Sequence, residues 1–502
     1  MKRWLLFCLT LLLLGCQPVS GTPDAQESVS EGDIQRLSPA YTPTPEPTPL
    51  PTLAPTPDVP GGDPSSALLP DFAEEAAAGE STRYFLDMEL TPGGEGMNLR
   101  GVARVRYTNT SSEAIHTLAF LLLPNLNQTA PVMTAGPAMV DGSLFPVVMA
   151  EDGTSFTVEL EHALSSGAML DVSIPFSMSA ALGDGVFYMD APYPLIPRFE
   201  DGWQTTLSPY ARMMASAPVA QVEMVIRAPA DLDVVLSGSV VEESREDDEQ
   251  VIHAVSGPVR IVALAVGEFS EVTRSAGDVL LRAWMLPGHE EEADAILRAA
   301  ETMVSLLGEA WTPYPYAELD LVDVPGGGAT AAGIAPLETV GTNTVLDEAL
   351  LAVVTQWTAG MLGSDVVEEA WVNESLTYFA RSLYDESRFG IGAGTGYLTN
   401  LRAELRSDGN PALPLGQRAL TFETSAAYTL AMGYKGALFL ETLRWEMGRT
   451  AFDAFLETLF QDTRFGFVRE DDLELYAADA CSCDLDAVFH LWVHNGGELP
   501  TP

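Results

Sequence analysis

The sequence contains few basic residues and few cysteines. Among its 502 residues, 71 are Asp or Glu and only 25 are Lys or Arg, which gives a formal net charge of −46 at pH 7. Such an acidic chain argues against nucleic-acid binding and against electrostatic adsorption to anionic lipid, because both partners are polyanions. Two of the four cysteines lie in the first sixteen residues, which leaves Cys481 and Cys483. These two alone do not make a disulfide framework.

The first sixteen residues have the features of an export signal. Lys2 and Arg3 give a positive start, residues 4–14 form an apolar run, and small residues lead to Cys16. The run is too short to span a bilayer comfortably. Its end, Leu-Leu-Gly-Cys, resembles the bacterial lipoprotein box, in which the cysteine becomes the lipidated first residue. We therefore expect residues 1–16 to be a lipoprotein signal peptide; an ordinary secretory signal that contains a cysteine is the alternative.

This signal predicts where the mature protein resides. A lipid on Cys16 would anchor it at the cell surface or at the periplasmic face of a bacterial membrane. Residues 17–78 are rich in Pro, Thr, Gly and acidic residues. Such a composition cannot bury a core, and its prolines favour extended polyproline-like conformers. We therefore predict a disordered, semi-rigid tether over 17–78.

The remaining chain is long enough for two domains with sizeable cores. Apolar and polar residues alternate in 83–90 and in 99–107, and turn residues separate these runs. Alternation of this kind predicts strands with one buried face. Apolar residues at helical spacing dominate after residue 340. The patterns predict a β-domain over 79–277 and a second domain, mostly helical after 340, over 278–502.

The most specific pattern lies in residues 350–384. Apolar residues recur at helical spacing on both sides of a Gly-containing break, which predicts helix, connection and helix. A Gln-Trp pair at 356–357 ends the first pattern, and Trp-Val-Asn-Glu, ending at Glu374, begins the second. This stretch resembles the zinc-site region of the aminopeptidase N family of gluzincin metallopeptidases. In that family H-E-x-x-H-x-W lies on one helix, and W-x-N-E brings the third zinc ligand at this spacing.

The metal motif of that family is missing here. The two zinc-binding His positions hold Leu351 and Thr355, and the general-base Glu position holds Ala352. Two His at i and i+4 bind zinc through ring nitrogens, and the Glu takes a proton from the metal-bound water. Leu351 cannot ligate a metal, Thr355 is a poor zinc ligand, and Ala352 has no proton acceptor. Only Glu374 matches, as the third ligand.

Two further family positions also differ. The family's Gly-rich segment carries a Glu that binds the amino terminus of the substrate; depending on the alignment, Thr330 or Ala335 stands there. The family Tyr that steadies the oxyanion of the tetrahedral intermediate aligns with Gly433, and Tyr434 is displaced by one residue. On a helix this shift turns the side chain by about 100°. We therefore do not expect Tyr434 to replace that Tyr.

The resemblance implies a multidomain fold. It consists of an N-terminal all-β sandwich-like domain followed by a thermolysin-like α+β peptidase domain that is mainly helical. The order of the strand patterns agrees with this. For a ligand bound in the groove of such a domain, the candidate contact residues are Gly327, Gly328, Trp357, Asn373, Tyr378, Tyr434 and Lys435.

Two functions fit these residues. The favoured one is an exported, membrane-anchored lipoprotein with a peptidase fold but no intact zinc site and no cofactor, a non-catalytic binding or scaffold protein for a peptide or protein ligand. The alternative is a zinc metallopeptidase, the activity of the family, with a rearranged site in which His490 and His494 join Glu374. The first is favoured because the His pair, the base, the amino-terminus carboxylate and the Tyr are lost separately.

The anchor can be tested by Cys16→Ser, which removes the sulfur that would be acylated. We expect this variant to leave the membrane fraction or to stall in processing, as followed by fractionation with and without detergent. Cys8→Ser is the matched control, since Cys8 lies within the apolar run of the signal. If Cys16→Ser stayed in the membrane fraction and still needed detergent for release, as wild type would, this result would count against a lipoprotein signal.

Overall fold

The computed structural model of the protein describes most of the chain between residues 61 and 496. The described residues are 61–79, 81–94, 96–183, 185–213, 215–328, 330–337, 345–410 and 412–496. The predicted signal peptide, 1–16, and residues 17–60 of the predicted tether lie outside them. Across the described ranges, no helix combines the length and apolar character needed to cross a membrane.

Residues 61–78, which we predicted to be tether, fold onto the body. Pro64–Ala67 and Pro70–Gly79 form 3-10 helices, and proline suits their first turn because its φ is already set. Leu68 is only 5% exposed, and the amide of Leu69 donates to the carbonyl of Pro315 at 2.8 Å. The prediction of a tether up to residue 78 was therefore wrong. A short apolar run within this Pro-rich segment packs against the folded body.

The N-terminal domain is built from fifteen described strands. Their bounds are β1 Thr82–Gly93, β2 Gly96–Thr108, β3 Ile115–Leu121, β4 Met133–Ala135, β5 Ala138–Val140, β6 Ser143–Phe145, β7 Val148–Met149, β8 Ser155–Leu164, β9 Met169–Ala181, β10 Phe187–Asp190, β11 Ala220–Pro229, β12 Asp233–Leu236, β13 Ser239–Glu246, β14 Glu249–Val259 and β15 Ala263–Gly267. The large sheet has the order β13-β14-β11-β1-β2-β9-β5-β6, with β4 also paired to β9. Two smaller sheets, β3-β8-β7 and β10-β15-β12, complete the domain.

The second domain combines one sheet with helices. Its sheet has the order β16-β17-β18-β19, formed by β16 Ser270–Ala276, β17 Val279–Met285, β18 Glu318–Asp323 and β19 Ile334–Leu337. Its described α-helices are α1 Ala293–Ala310, α2 Val345–Thr355, α3 Ala370–Phe389, α4 Ile391–Asp408, α5 Ser425–Tyr428, α6 Lys435–Met447, α7 Arg449–Thr463, α8 Glu470–Cys481 and α9 Asp486–Phe489. Three π turns, Gln356–Met361, Thr429–Tyr434 and His490–Asn495, extend or join them.

These elements follow the sequence patterns. In β1 the alternate residues Tyr84, Leu86 and Met88 are buried, as period-two alternation predicts. A sheet-rich first domain and a mainly helical second domain confirm the predicted fold class. β16 lies in the segment that we assigned to the first domain, yet it pairs along its length with β17. The sheet of the second domain therefore begins before the predicted boundary at 277.

A buried arginine joins the two domains. Arg260 follows β14 and is 2% exposed. Its guanidinium donates to the carbonyls of Ala217 at 3.0 Å and Met361 at 3.2 Å, and also to that of Gly466. Ala217 belongs to the first domain, whereas Met361 and Gly466 belong to the second. The guanidinium thus satisfies carbonyls on both sides of the boundary, including one at the end of a π turn.

The contribution of this contact can be measured with Arg260→Met, which keeps much of the side chain and removes every donor. We expect the free energy of unfolding to fall by roughly 3 kcal/mol, because three carbonyls lose a charged donor. Arg245→Met, at a half-exposed position on β13, should change it by less than about 0.5 kcal/mol. Chemical denaturation of both variants measures this. Equal, small losses would mean that Arg260 does not hold the domains together.

Candidate functional site

Two helices joined through a π turn carry the candidate site. α2 runs directly into the π turn Gln356–Met361, and α3 follows after a short connection, which confirms the predicted helix, connection and helix. The buried Gln356 side chain accepts from the amide of Gly333 at 3.0 Å and donates to the carbonyl of Ala331 at 2.8 Å. These bonds fix the end of α2 against the segment that leads into β19.

The three metal-motif positions lie on α2 and offer no ligand. Leu351, Ala352 and Thr355 are all buried. The Thr355 hydroxyl donates to the carbonyl of Leu351 at 2.8 Å, a bond within the helix that occupies its proton. These positions therefore present neither a ring nitrogen nor a carboxylate to the space in front of α2.

Glu374, which matches the third zinc ligand, is buried on α3 and already has partners. It is 4% exposed. Its Oε1 accepts from the backbone amide of Arg212 at 3.2 Å and from the hydroxyl of Tyr428 at 3.3 Å. Its Oε2 lies 3.9 Å from Nε of Arg212, within ion-pair distance. The carboxylate thus faces a guanidinium and a phenol, neither of which we predicted from the sequence.

The guanidinium comes from the first domain. Arg212 lies in the long connection between β10 and β11, far from α2 and α3 in the sequence. Its Nη2 donates to the hydroxyl of Tyr378 at 3.3 Å, and the guanidinium carbon lies 5.6 Å from the centre of that ring. The Arg212 side chain is 25% exposed, whereas that of Glu374 is 6% exposed.

Burial and the ion pair act in opposite directions on these groups. Burial raises the pKa of Glu374 above its ordinary value, while Arg212 and Tyr428 lower it. Burial lowers the pKa of Arg212, but Tyr378 and Glu374 outweigh burial and leave it above its usual value. Burial, together with Glu374, raises the pKa of Tyr428 well above the ordinary range, so Tyr428 donates as a neutral phenol. The result is a buried ion pair in which each charge depends on the other.

Aromatic rings border this ion pair. Tyr434 ends the π turn Thr429–Tyr434 and packs edge-to-face on Tyr378, with ring centres 5.1 Å apart. Burial, together with Tyr378, raises the pKa of Tyr434 to about 12. Gly433 leaves no room for a side chain in this packing, since a Cβ there would lie 2.4 Å from the Tyr378 ring. Tyr434 therefore borders the site through Tyr378.

Two predicted groove residues are core residues instead. Trp357 is fully buried, and its indole nitrogen donates to the carbonyl of Thr312 at 2.8 Å. Lys435 is also fully buried; its ammonium donates to the carbonyl of Leu413, and burial lowers its pKa to about 8. The prediction that both line a groove was wrong, because a motif does not show which way a helix faces. Asn373, 9% exposed, is nearly buried beside Glu374.

The Gly-rich segment lies between β18 and β19. Gly327 has a φ of 68°, a left-handed conformation that favours glycine. Gly328 is exposed, and a Cβ on it would meet the ring of Tyr188. Thr330 is 6% exposed, and Ala335 is fully buried in β19, the edge strand of its sheet. Neither residue brings a carboxylate to the site.

His490 and His494 lie in the last π turn, and both are exposed. Nε2 of His494 is 3.1 Å from Oε1 of Glu470. Nδ1 of His490 is 2.9 Å from the side-chain nitrogen Nδ2 of Asn495. Within the part of the chain that the structure describes, no group of three or more His, Cys, Asp or Glu side chains could hold a metal ion. The two histidines therefore do not join Glu374, and the alternative hypothesis is wrong in that form.

Cys481 and Cys483 form a disulfide bond with each other. Because only Ser482 separates them, the bond closes a short local loop at the end of α8 and does not link distant elements. Neither sulfur is a thiolate in this state, so neither serves as a metal ligand.

The fold can now be placed among known proteins. No protein-family model matches the sequence. The chain has the two-domain fold of the M1 zinc metallopeptidases of aminopeptidase N type, which confirms the resemblance at the level of fold. The M1 zinc metallopeptidase of Deinococcus radiodurans is 18% identical over 84% of this chain and 95% of its own, with a TM-score of 0.63. A mutant of it bound to a Tyr-Ser-Ala substrate (19%, 84% and 95%, TM-score 0.63) is similar to the same degree.

A zinc ion, which this fold implies, does not fit these residues. Zinc sites of this kind need three protein ligands and an open fourth position, whereas among the described positions 351, 355 and 374 only Glu374 could be a ligand. Both oxygens of Glu374 face Arg212, and one also accepts from Tyr428. A second cation beside the guanidinium would be repelled as well. No reaction step through zinc follows from this site.

Rebuilding the site tests whether Arg212 takes the place of the metal as counter-charge. Leu351→His, Ala352→Glu and Thr355→His restore the family residues, and the added change Arg212→Ala frees Glu374. We expect the quadruple variant to bind zinc at least about tenfold more tightly than the triple variant, because an ion pair need not be broken first. Isothermal titration and melting with and without zinc measure the difference.

The control for this series is Arg212→Ala alone, which should lose stability and gain no zinc affinity. Equal zinc affinity in the triple and quadruple variants would show that Arg212 does not compete. Absence of binding in both would show that positions 351, 355 and 374 do not converge.

Proposed function

We propose that this protein is an exported, lipid-anchored lipoprotein. It has an M1 peptidase fold but does not hydrolyse peptides. It serves instead as a binding or scaffold protein at a bacterial membrane surface. The observation that carries this proposal is the ion pair of Glu374 with Arg212, at the place where the fold would hold its third metal ligand. A cation from the chain itself now satisfies that carboxylate.

The remaining chemistry supports the same proposal. Hydrolysis of a peptide bond needs an activated water, a proton acceptor and a donor for the oxyanion. Ala352 accepts no proton, and Glu374, already paired with Arg212, is a poor substitute base. Tyr428 and Tyr434 remain as neutral phenols, which can donate a hydrogen bond but cannot activate water. Glu374, Tyr428 and Tyr434 can therefore form hydrogen bonds or ion pairs, but they do not supply the chemistry of peptide hydrolysis.

A segment of the first domain lies against the candidate site, because Arg212 contacts Glu374. The structure of the mutant Deinococcus radiodurans enzyme holds a Tyr-Ser-Ala substrate, and a two-domain M1 mutant holds L-arginine. We infer that in this chain the connection carrying Arg212 covers the equivalent space, since its backbone amide reaches Glu374. A peptide or protein ligand would then be held on other surfaces of the body.

Metal content decides between this proposal and a peptidase. We expect the purified protein to carry less than about a tenth of a zinc ion per chain, and a chelator to leave its melting temperature unchanged, since folding gains nothing from zinc. It should release no product from amino-acid p-nitroanilides. The Deinococcus radiodurans enzyme, assayed under the same conditions, is the control. One zinc per chain, with a lower melting temperature after chelation, would contradict the proposal.

A further inference from the structure

Three highly exposed apolar side chains lie at two neighbouring helix corners. Trp445 is 81% exposed, Phe389 71% and Ile391 65%, and no other large hydrophobic residue within the described ranges is as exposed as these three. Phe389 and Ile391 flank Gly390, and Ile391 and Trp445 line the same cavity of about 300 Å³. We call these three residues the corner patch. Large apolar side chains gathered on a surface mark an interaction site more often than single ones do.

The corner patch stands on a rigid base. It lies where two helix corners meet, α3 to α4 through Gly390 and α6 to α7 through Gly448. Glu386 of α3 accepts from Arg444 of α6 at 2.9 Å and pairs with Arg449 of α7 at 2.5 Å. Glu386 is only 11% exposed, so this three-membered ion cluster fixes the corners against each other. The three apolar side chains therefore project from a preformed surface.

The charge around the corner patch differs from that of the whole chain. Two arginines, Arg444 and Arg449, balance the local carboxylates of Glu386 and Asp453. Arg388, one residue before Phe389, is exposed and forms no ion pair within the described part of the chain. Glu446, which follows Trp445, is also exposed, and Glu441 lines the same cavity. The region therefore carries charges of both signs within a chain whose net charge is −46.

We propose that the corner patch inserts into the interfacial layer of the bilayer to which the chain is anchored. This rests on the proposed lipid anchor at Cys16. Tryptophan, phenylalanine and isoleucine gain by leaving water for this layer, and an adjacent arginine can meet lipid phosphates. A single lipid anchor holds the folded body near a membrane but does not fix the orientation of that body. The corner patch supplies the second contact that orients the body.

The chain outside the described residues permits this contact. Residues 17–60 would reach on the order of 140 Å if fully extended, at about 3.1 Å per residue. A segment of that length would let any face of the body reach the lipid, and surface chemistry would then select the face. The tether also keeps the patch at a high effective concentration near the bilayer. This favours the bilayer over a soluble protein partner.

The sign of the salt dependence follows from the net charge. Anionic lipid repels a body that carries such an excess of acidic residues, and salt screens this repulsion. Insertion of the corner patch into anionic vesicles should therefore strengthen as salt is added. A surface that adsorbed through its arginines alone would show the opposite dependence, because salt would screen an attraction.

The test uses the mature protein purified from membranes, with acylation of Cys16 verified by mass. It is reconstituted into phosphatidylcholine vesicles with ordinary or brominated acyl chains. Wild type is compared with Trp445→Ser, so that the difference spectrum reports one of the seven tryptophans that remain after the signal peptide, with Trp4, is removed. We expect Trp445 to emit at shorter wavelength than in water and to be quenched by brominated lipid. Phe389→Ser with Ile391→Ser should shift this emission back toward that of exposed tryptophan.

Leu475→Ser is the matched control, since Leu475 is 59% exposed on α8, away from the patch; it should leave the Trp445 signal unchanged. Emission of Trp445 at the wavelength of exposed tryptophan, unaffected by brominated lipid, would overturn the proposal. So would a blue shift that appears without lipid and grows with protein concentration, which would assign the patch to contact between two copies.

Failure of the lipid anchor gives a different result. If Cys16 carries no acyl group, the lipoprotein proposal fails, and the exported chain is mixed with the same vesicles. Sedimentation with the vesicles then judges the corner patch alone. Trp445→Ser should weaken this binding by roughly tenfold, as expected when a large apolar side chain no longer leaves water. Equal sedimentation of wild type and variant would reject the patch independently of the anchor.

Discussion

A carboxylate removed from water needs a counter-charge, and this need organises the centre of the protein. An unpaired buried charge is costly, and Glu374 is 4% exposed on α3. In an M1 peptidase a metal ion could meet this need. In this chain Arg212 supplies the positive charge and Tyr428 a hydrogen bond. Tyr378 then holds the guanidinium through its hydroxyl, so one carboxylate determines the positions of its neighbours.

Arginine side chains also couple the two domains. Arg212 reaches Glu374 from the first domain, and Arg260 brings donors to carbonyls on both sides of the boundary. Arg464 of the second domain pairs with Glu75, just before β1. Although the chain has few basic residues, three of its arginines make these contacts. The two domains therefore form one structural unit, whether or not the groove has a ligand.

The predictions from sequence succeeded where the signal is local. The spacing from residue 356 to Glu374 predicted α2, the break and α3, and alternation predicted β1. They failed where burial depends on a distant partner. Trp357 and Lys435 turn inward onto Thr312 and Leu413, and Leu68 finds a surface that its Pro-rich neighbours do not suggest. Arg212 belongs to no motif; its only signal was that basic residues are rare here.

By itself, the sequence predicted that the family metal site is incomplete. That prediction depends on Leu351, Ala352 and Thr355, because a leucine cannot ligate zinc in any conformation. Strand and helix periodicity predicted a β-domain followed by a mostly helical one, and the family resemblance implied the fold class. Only the tertiary structure decided which cation meets Glu374 and which apolar side chains stay outside. Arg212 lies 162 residues from Glu374, and the contact exists because both domains pack together, which no local pattern encodes.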